Sequence, residues 1–199
     1  TKLKRRIAEI KEVQVENIFL GNGSDEAIDL LIRAFCEPGT DNMISIKPTY
    51  GMYKVCADIN QVEFREALLN KDYQADTQAL LGLVDNRSKL MFLCSPNNPT
   101  SNSLDRNDIL LLIRKFSGLV ILDEAYLDFS ANRSLISELS RFPNLVILQT
   151  FSKAWGMAGI RLGMAFASRD ITTLLNRIKY PYNVNVLTQR AALDHLQDT

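Results

Sequence analysis

The chain has 199 residues, 46% of them hydrophobic and 23% charged, with 23 Lys and Arg against 23 Asp and Glu. That composition suits a globular protein with a full core, and zero net charge offers no basic surface to nucleic acid or an anionic membrane. A single histidine, His195, argues against Ser-His and Cys-His catalysis and against histidine-based metal sites, and no Cys-x-x-Cys spacing is present to hold a metal.

Residues 2–12 are predicted as an amphipathic helix whose Lys2, Lys4, Arg5 and Arg6 are offset by Glu9 and Glu12 on a solvated face. Asn17–Leu20 reads as a short strand. Ile28, Leu31, Ile32 and Phe35 follow helical spacing from a start near Ser24. A turn at Glu37-Pro38-Gly39-Thr40 precedes a strand at Met43–Ile46 and a helix over Tyr50–Ile59. Val62–Arg65 is expected as a strand, and Asp76 can cap a helix running to Val84. Leu90–Cys94, Leu119–Leu122, Leu145–Leu148 and Met164–Ala167 read as strands. Helices are expected around Ile109–Phe116, over Ile171–Ile178 and over 186–196.

Short runs that are apolar on both faces suit parallel strands covered on both sides, with helices as crossovers. The expected class is α/β, a mostly parallel central sheet with helices on both faces. Cys36, Cys56 and Cys94 each lie in an apolar element, as buried thiols in a reducing compartment would. No stretch reads as a signal peptide or membrane span, so a cytoplasmic protein is expected. The chain opens on one helix without an initiator Met and closes after another, which is expected of a piece of a longer protein.

Three apolar strands run into polar segments: Ser95-Pro96-Asn97-Asn98-Pro99-Thr100, Asp123-Glu124-Ala125-Tyr126, and Gln149-Thr150-Phe151-Ser152-Lys153. In open parallel sheets ligands bind beyond the carboxyl ends of strands, so Asn98, Asp123, Tyr126 and Lys153 are expected to converge. Asp123, at the end of a buried strand, needs a positive partner, whether a structural ion pair or a protonated ring nitrogen. The prolines flanking Asn97 and Asn98 fix an extended turn whose amide is able to reach a ligand oxygen. Gly21-Asn22-Gly23-Ser24-Asp25-Glu26 leads from strand to helix and outlines an anion site, though an ordinary capped helix has the same appearance. Tyr50 is placed to stack on a flat ring or to sit in the core. In Thr150-Phe151-Ser152-Lys153, with Arg161 eight positions on and glycines at 156 and 159, an amine, a hydroxyl and a guanidinium share one segment. That set suits an aldehyde bearing a phosphate.

GNGSDEAIDLL, PTYGMY, SPNNPT, DEAYLDF and TFSKAWGMAGIRLG resemble, in order and spacing, the fold-type I pyridoxal-phosphate aminotransferases. DEAYLDF and Pro181-Tyr182-Asn183 are most similar to the histidinol-phosphate subgroup. The resemblance covers the whole chain and implies that residues 1–199 are the large, cofactor-binding domain, without the N-terminal arm and C-terminal small domain of that family. It implies pyridoxal 5'-phosphate as cofactor and no metal. Lys153 would hold the aldehyde as a Schiff base and then transfer the proton at Cα. Asp123 would pair with the ring nitrogen, Tyr126 and Asn98 would bond the ring's phenolic oxygen, and Tyr50 would stack on the ring. Ser24, Asp25, Ser152 and Arg161 would hold the phosphate, with Thr150 a weaker candidate. The implied reaction passes an amino group from a small-molecule donor, L-histidinol phosphate, to a 2-oxo acid, 2-oxoglutarate, in a homodimer.

Ser101 stands where the family often has glycine, which alters a turn. Without arm and small domain, the 199-residue piece is expected to turn over poorly. A related aromatic aminotransferase or an amino-acid-phosphate decarboxylase uses the same machinery. A non-catalytic binding or regulatory module would be expected to lose Lys153 or Asp123 first, and a dinucleotide-binding protein requires a GxGxxG loop that is not in the sequence.

Overall fold

The structure, a computed structural model, describes residues 1–197. In chain order these form α1 (Lys2–Lys11), β1 (Ile18–Asn22), α2 (Gly23–Phe35), β2 (Asn42–Lys47), α3 (Met52–Ile59), β3 (Glu63–Leu68) and α4 (Thr77–Gly82). They continue with β4 (Ser88–Cys94), α5 (Arg106–Lys115), β5 (Leu119–Asp123), β6 (Leu145–Thr150), β7 (Leu162–Phe166), α6 (Arg169–Ile178) and α7 (Val186–Gln197). Helix starts follow side-chain chemistry: Asp76 accepts from Ala79 N at 2.9 Å to open α4, and Asp105 accepts from Asn107 N at 2.7 Å to open α5.

The strands make one seven-stranded sheet in the order β1-β7-β6-β5-β4-β2-β3. β3, β2, β4, β5 and β6 pair in parallel, whereas β7 is antiparallel to both β6 and β1. β7 alone is therefore reversed, and the mostly parallel sheet expected from the apolar runs is the one that forms. β4 to β7 are buried almost throughout because helices cover both faces.

Alternation along each strand divides the core in two. Val120 and Leu122 of β5 pack into a layer with α1, α4, α5 and α7, while Ile121 packs with α2, α3 and α6. Cys36, Cys56 and Cys94 are buried and unbridged. Burial pushes their thiols up to about 12, 11 and 12 respectively, which keeps them protonated and unreactive. Strand boundaries differ most from expectation at β3, which runs three residues beyond the predicted Arg65. Its half-exposed edge pattern carries little apolar signal.

The direction of β7 decides which side chains share the binding edge. Strands β1 to β6 all end at one edge of the sheet, and β7 begins there, so Arg161 joins the edge where six other strands have their carboxyl ends. Gly163 is where β7 meets the start of α2. A Cβ on it would lie 2.1 Å from Ser24 N and 2.2 Å from Gly23 C, both main-chain atoms. Gly163→Ala is expected to destabilise the protein by about 2–4 kcal/mol, since backbone cannot step aside as a side chain can. A urea melt of the variant beside the parent checks this.

Candidate active site

All ten residues singled out in the sequence line one cavity of about 240 Å³ at this edge. Ser24, Asp25, Tyr50, Asn98, Asp123, Tyr126, Thr150, Ser152, Lys153 and Arg161 form its wall with Gly23, Cys94 and Ala125.

Lys153 reaches this position through a closed turn. Phe151 N–H donates to Leu162 O at 3.0 Å, Met157 N–H to Phe151 O at 3.0 Å, and Gly156 N–H to Lys153 O at 2.9 Å. Gly156 has φ +66°, a conformation that residues with a side chain resist. Phe151 is buried and its ring lies 5.2 Å from that of Trp155, whose indole N–H donates to Asp128 at 3.0 Å. Segments 151–157 and 126–129 are thereby tied together. The Lys153 ammonium sits 5.2 Å from the centre of the Tyr126 ring, within cation–π range.

Asp123 lies at the floor and is only 2% exposed. Its Oδ2 accepts from the Tyr53 hydroxyl at 2.8 Å and its Oδ1 from Ala125 N–H at 3.0 Å. Among the described residues no lysine or arginine forms an ion pair with it, so the positive partner expected from the sequence is not supplied by this chain's side chains. Burial pushes its carboxyl up to about 6 despite those two donors, with the Asp25 and Glu124 carboxylates adding to the rise. A buried acid so placed favours a cationic ligand group beside it.

Tyr53 is the main site residue the sequence reading missed. It is fully buried, its ring lies 4.9 Å from Phe92, and burial next to Asp123 drives its hydroxyl well above the usual phenol range. The signal was present: Tyr53 lies three positions after Tyr50, in the first turn of a helix that starts just past it. Asn97 was read only as part of a turn. It is 2% exposed, donates to Pro48 O at 3.0 Å and Thr100 Oγ1 at 2.7 Å, and accepts from Thr49 Oγ1 at 2.8 Å. It stitches the end of β4 to the end of β2 and so fixes Asn98 and Tyr50 across the cavity.

The opposite wall brings together a helix start and a guanidinium. α2 begins at Gly23, so the main-chain N–H groups of its first turn lack partners inside the helix. Arg161 Nη1 donates to Ser152 Oγ at 3.4 Å and Ala158 O at 3.2 Å, and its Nη2 lies 3.7 Å from Asp25 Oδ2. Tyr50 donates to Asp25 Oδ1 at 3.1 Å, and burial followed by the Asp25 charge lifts the Tyr50 hydroxyl to about 12. The Asp25 carboxylate is thus engaged on both oxygens, by Tyr50 and Arg161. Gly23 has φ +72°, and a Cβ there would lie 2.9 Å from Arg161 Nη2, so glycine leaves the guanidinium its place. Thr150 lines the cavity, but its hydroxyl already donates to Leu162 O at 3.3 Å and accepts from Ser152 N–H at 3.1 Å. It serves the frame of the Lys153 turn.

Among the described residues no His/Cys/Asp/Glu cluster of metal-binding geometry occurs, and no helix is long and apolar enough to cross a membrane.

Residues 1–199 match the family model described as aminotransferase class I and II. The chain is 62% identical over 194 residues to a histidinol-phosphate aminotransferase of Bacteroides fragilis, covering 98% of this chain and 56% of that protein. It is 61% identical over 191 residues to one of Bacteroides thetaiotaomicron, covering 96% and 55%. The fold superposes with a TM-score of 0.92 on a histidinol-phosphate aminotransferase of Sinorhizobium meliloti solved with pyridoxal-5'-phosphate, at 23% identity, covering 99% of this chain and 55% of that one. The chain thus spans a little over half the length of the curated relatives it matches.

Proposed function

Because the chain belongs to the class I and II aminotransferases, we propose that its cavity holds pyridoxal 5'-phosphate and that the whole protein is a histidinol-phosphate aminotransferase. The amino donor would be L-histidinol phosphate and the acceptor 2-oxoglutarate. Residues 1–199 would be the cofactor-holding large domain of a cytoplasmic homodimer. Three buried thiols held in protonated form support a reducing compartment.

The observation that carries this reading is the pairing, across one cavity, of an amine with a buried acid and an anion-binding wall. Lys153 provides the amine, Asp123 the acid, and Ser24, Asp25, Ser152 and Arg161 the wall. The donor set fits the cofactor. Asp123 is a buried carboxylate lacking a protein cation, and a protonated ring nitrogen satisfies it. Arg161 and the first turn of α2 suit a phosphate dianion.

When bound, the cofactor supplies an electron-accepting ring that stabilises negative charge at Cα of the amino donor. Lys153 Nζ would hold the aldehyde carbon and, when free, would take and return the Cα proton. Asp123 would keep the ring nitrogen protonated and so maintain the ring's electron demand. Asn98 and Tyr126 would bond its phenolic oxygen, and Tyr50 would stack on the ring.

Borohydride treatment of the protein after addition of pyridoxal phosphate should fix one equivalent of cofactor on Lys153, read by peptide mass mapping. Label on another lysine, or none, would reject the site. Among amino donors offered to the full-length protein, L-histidinol phosphate should give the highest kcat/KM. An aromatic amino acid ahead of it, or carbon dioxide release from an amino-acid phosphate, would move the assignment within the same chemistry.

A further inference from the structure

Pro181-Tyr182-Asn183 joins α6 to α7 and takes no part in the chemistry above, yet Asn183 is bonded through both polar atoms of its side chain. Its Nδ2 donates to Leu20 O at 3.0 Å and to Glu26 Oε1 and Oε2 at 3.2 and 3.0 Å. Its Oδ1 accepts from Lys179 Nζ at 2.7 Å. The lysine, which only donates, turns the amide so that its oxygen faces the ammonium and its NH₂ faces the carboxylate. Glu26 also accepts from Asn22 N–H, and Asn22 Nδ2 donates to the main-chain oxygen of Asn183.

Asn22 is the last residue of β1 and the N-cap of α2, immediately before Gly23, Ser24 and Asp25 of the anion-binding wall. It is gripped at both its main-chain N–H and its side-chain amide by residues outside the cavity. Gly21 keeps the grip possible, since a Cβ there would come 3.0 Å from Glu26 Oε2.

We infer that Glu26 and Asn183, oriented by Lys179, are positioning residues that clamp the Asn22–Asp25 turn and so set affinity for the phosphate end of the cofactor without touching it. The clamp rests on the pyridoxal-phosphate reading of the cavity. A turn already ordered before the ligand arrives loses less on binding, and only the ligand group that uses the turn benefits. Pyridoxal has the same ring and aldehyde without the phosphate, so it separates the clamp from a general loss of structure.

The test measures dissociation constants for pyridoxal phosphate and for pyridoxal by absorbance titration of the full-length protein, parent and Asn183→Ala. Loss of the side-chain hydrogen bonds to Leu20 O and to the Glu26 carboxylate, which itself holds Asn22 N–H, should weaken pyridoxal phosphate roughly ten-fold and leave pyridoxal unchanged. Unchanged affinity for pyridoxal phosphate, or an equal loss for both aldehydes, overturns the clamp. Lys179→Met, at a side chain outside the core, gives a second arm should Asn183→Ala not fold. It should lower the ratio of the two affinities by about three-fold, and an unchanged ratio counts against the proposal. If the parent itself fails to take up pyridoxal phosphate on Lys153, the reading of the site has failed. If the parent does and the ratios do not move, only the clamp has failed.

Discussion

Turnover of the full-length protein is expected to fall by roughly 10⁴-fold or more when Lys153 is replaced by alanine, because on the proposed mechanism one amine would both hold the aldehyde and move the Cα proton. Each role alone is worth orders of magnitude in rate, and the cavity wall holds no second amine: Arg161 is the only other cation lining it among the described residues. Arginine stays protonated and cannot act as a base. Cofactor binding should survive in part, since Ser24, Ser152 and Arg161 are left in place. The variant is thus expected to retain pyridoxal phosphate, give no borohydride-stable adduct at position 153, and form product at a rate barely above the uncatalysed one. Single-turnover assays and mass mapping on the same sample separate these outcomes. A variant within about ten-fold of the parent would remove Lys153 from the mechanism.

Asp123→Asn should lower transamination by roughly 10²–10⁴-fold, because a neutral amide cannot keep a ring nitrogen protonated. The same change should stabilise the cofactor-free protein at pH 8. The Asp123 carboxyl goes from 3.8 to about 6 on folding, chiefly through burial. The native state therefore holds this proton to higher pH than the unfolded chain does. Stability from this group rises as pH falls through 6, levels off below about 4, and carries a penalty of about 3 kcal/mol above pH 6. Asparagine has no such charge to bury, and its amide is able to accept from Ala125 N–H while donating to the Tyr53 oxygen. Urea melts of the cofactor-free parent and variant at pH 5 and pH 8 should show the variant gaining up to about 3 kcal/mol at pH 8, with a flatter pH dependence. Glu124, also raised by burial, contributes the same sign in both proteins, and removing the neighbouring Asp123 charge adds to the gain at pH 8 in the same direction. A variant less stable than the parent at pH 8 would show that Asp123 is not held as an unpaired buried charge.

Asp123 stood out in the sequence, and its surroundings did not. A lone acid after the apolar run Leu119–Leu122 is visible in one dimension, since burial of a charge is costly whatever surrounds it. That its partners are the Tyr53 hydroxyl and its own loop depends on α3 crossing the sheet to bring Tyr53 over Cys94 and Asp123. Only Tyr50 of this pair was singled out in the sequence. Tyr50, just ahead of α3, lines the cavity wall, and Tyr53, in the first turn of α3, is buried beside Asp123, with the rings 5.5 Å apart at 87°. Thr150 shows the converse: polar and well placed in the sequence, it uses its hydroxyl to join Leu162 O and Ser152 N–H and so frames the Lys153 turn.

What the amino-acid order determined by itself was local and periodic. Apolar runs covered on both faces define parallel strands, 3.6-residue spacing defines the helices between them, and polar residues just past each run mark the binding edge. These follow from burial and backbone geometry within a few residues, so they are legible without the fold. The tertiary structure alone decided the reversal of β7, which carries Arg161 to the same edge as Lys153. It also decided the approach of Gly163 to the α2 turn and the bonding of Asn183 to Glu26 across 157 positions. Those pairings depend on which segments pack side by side, and packing partners distant in sequence leave no periodic trace in a single chain.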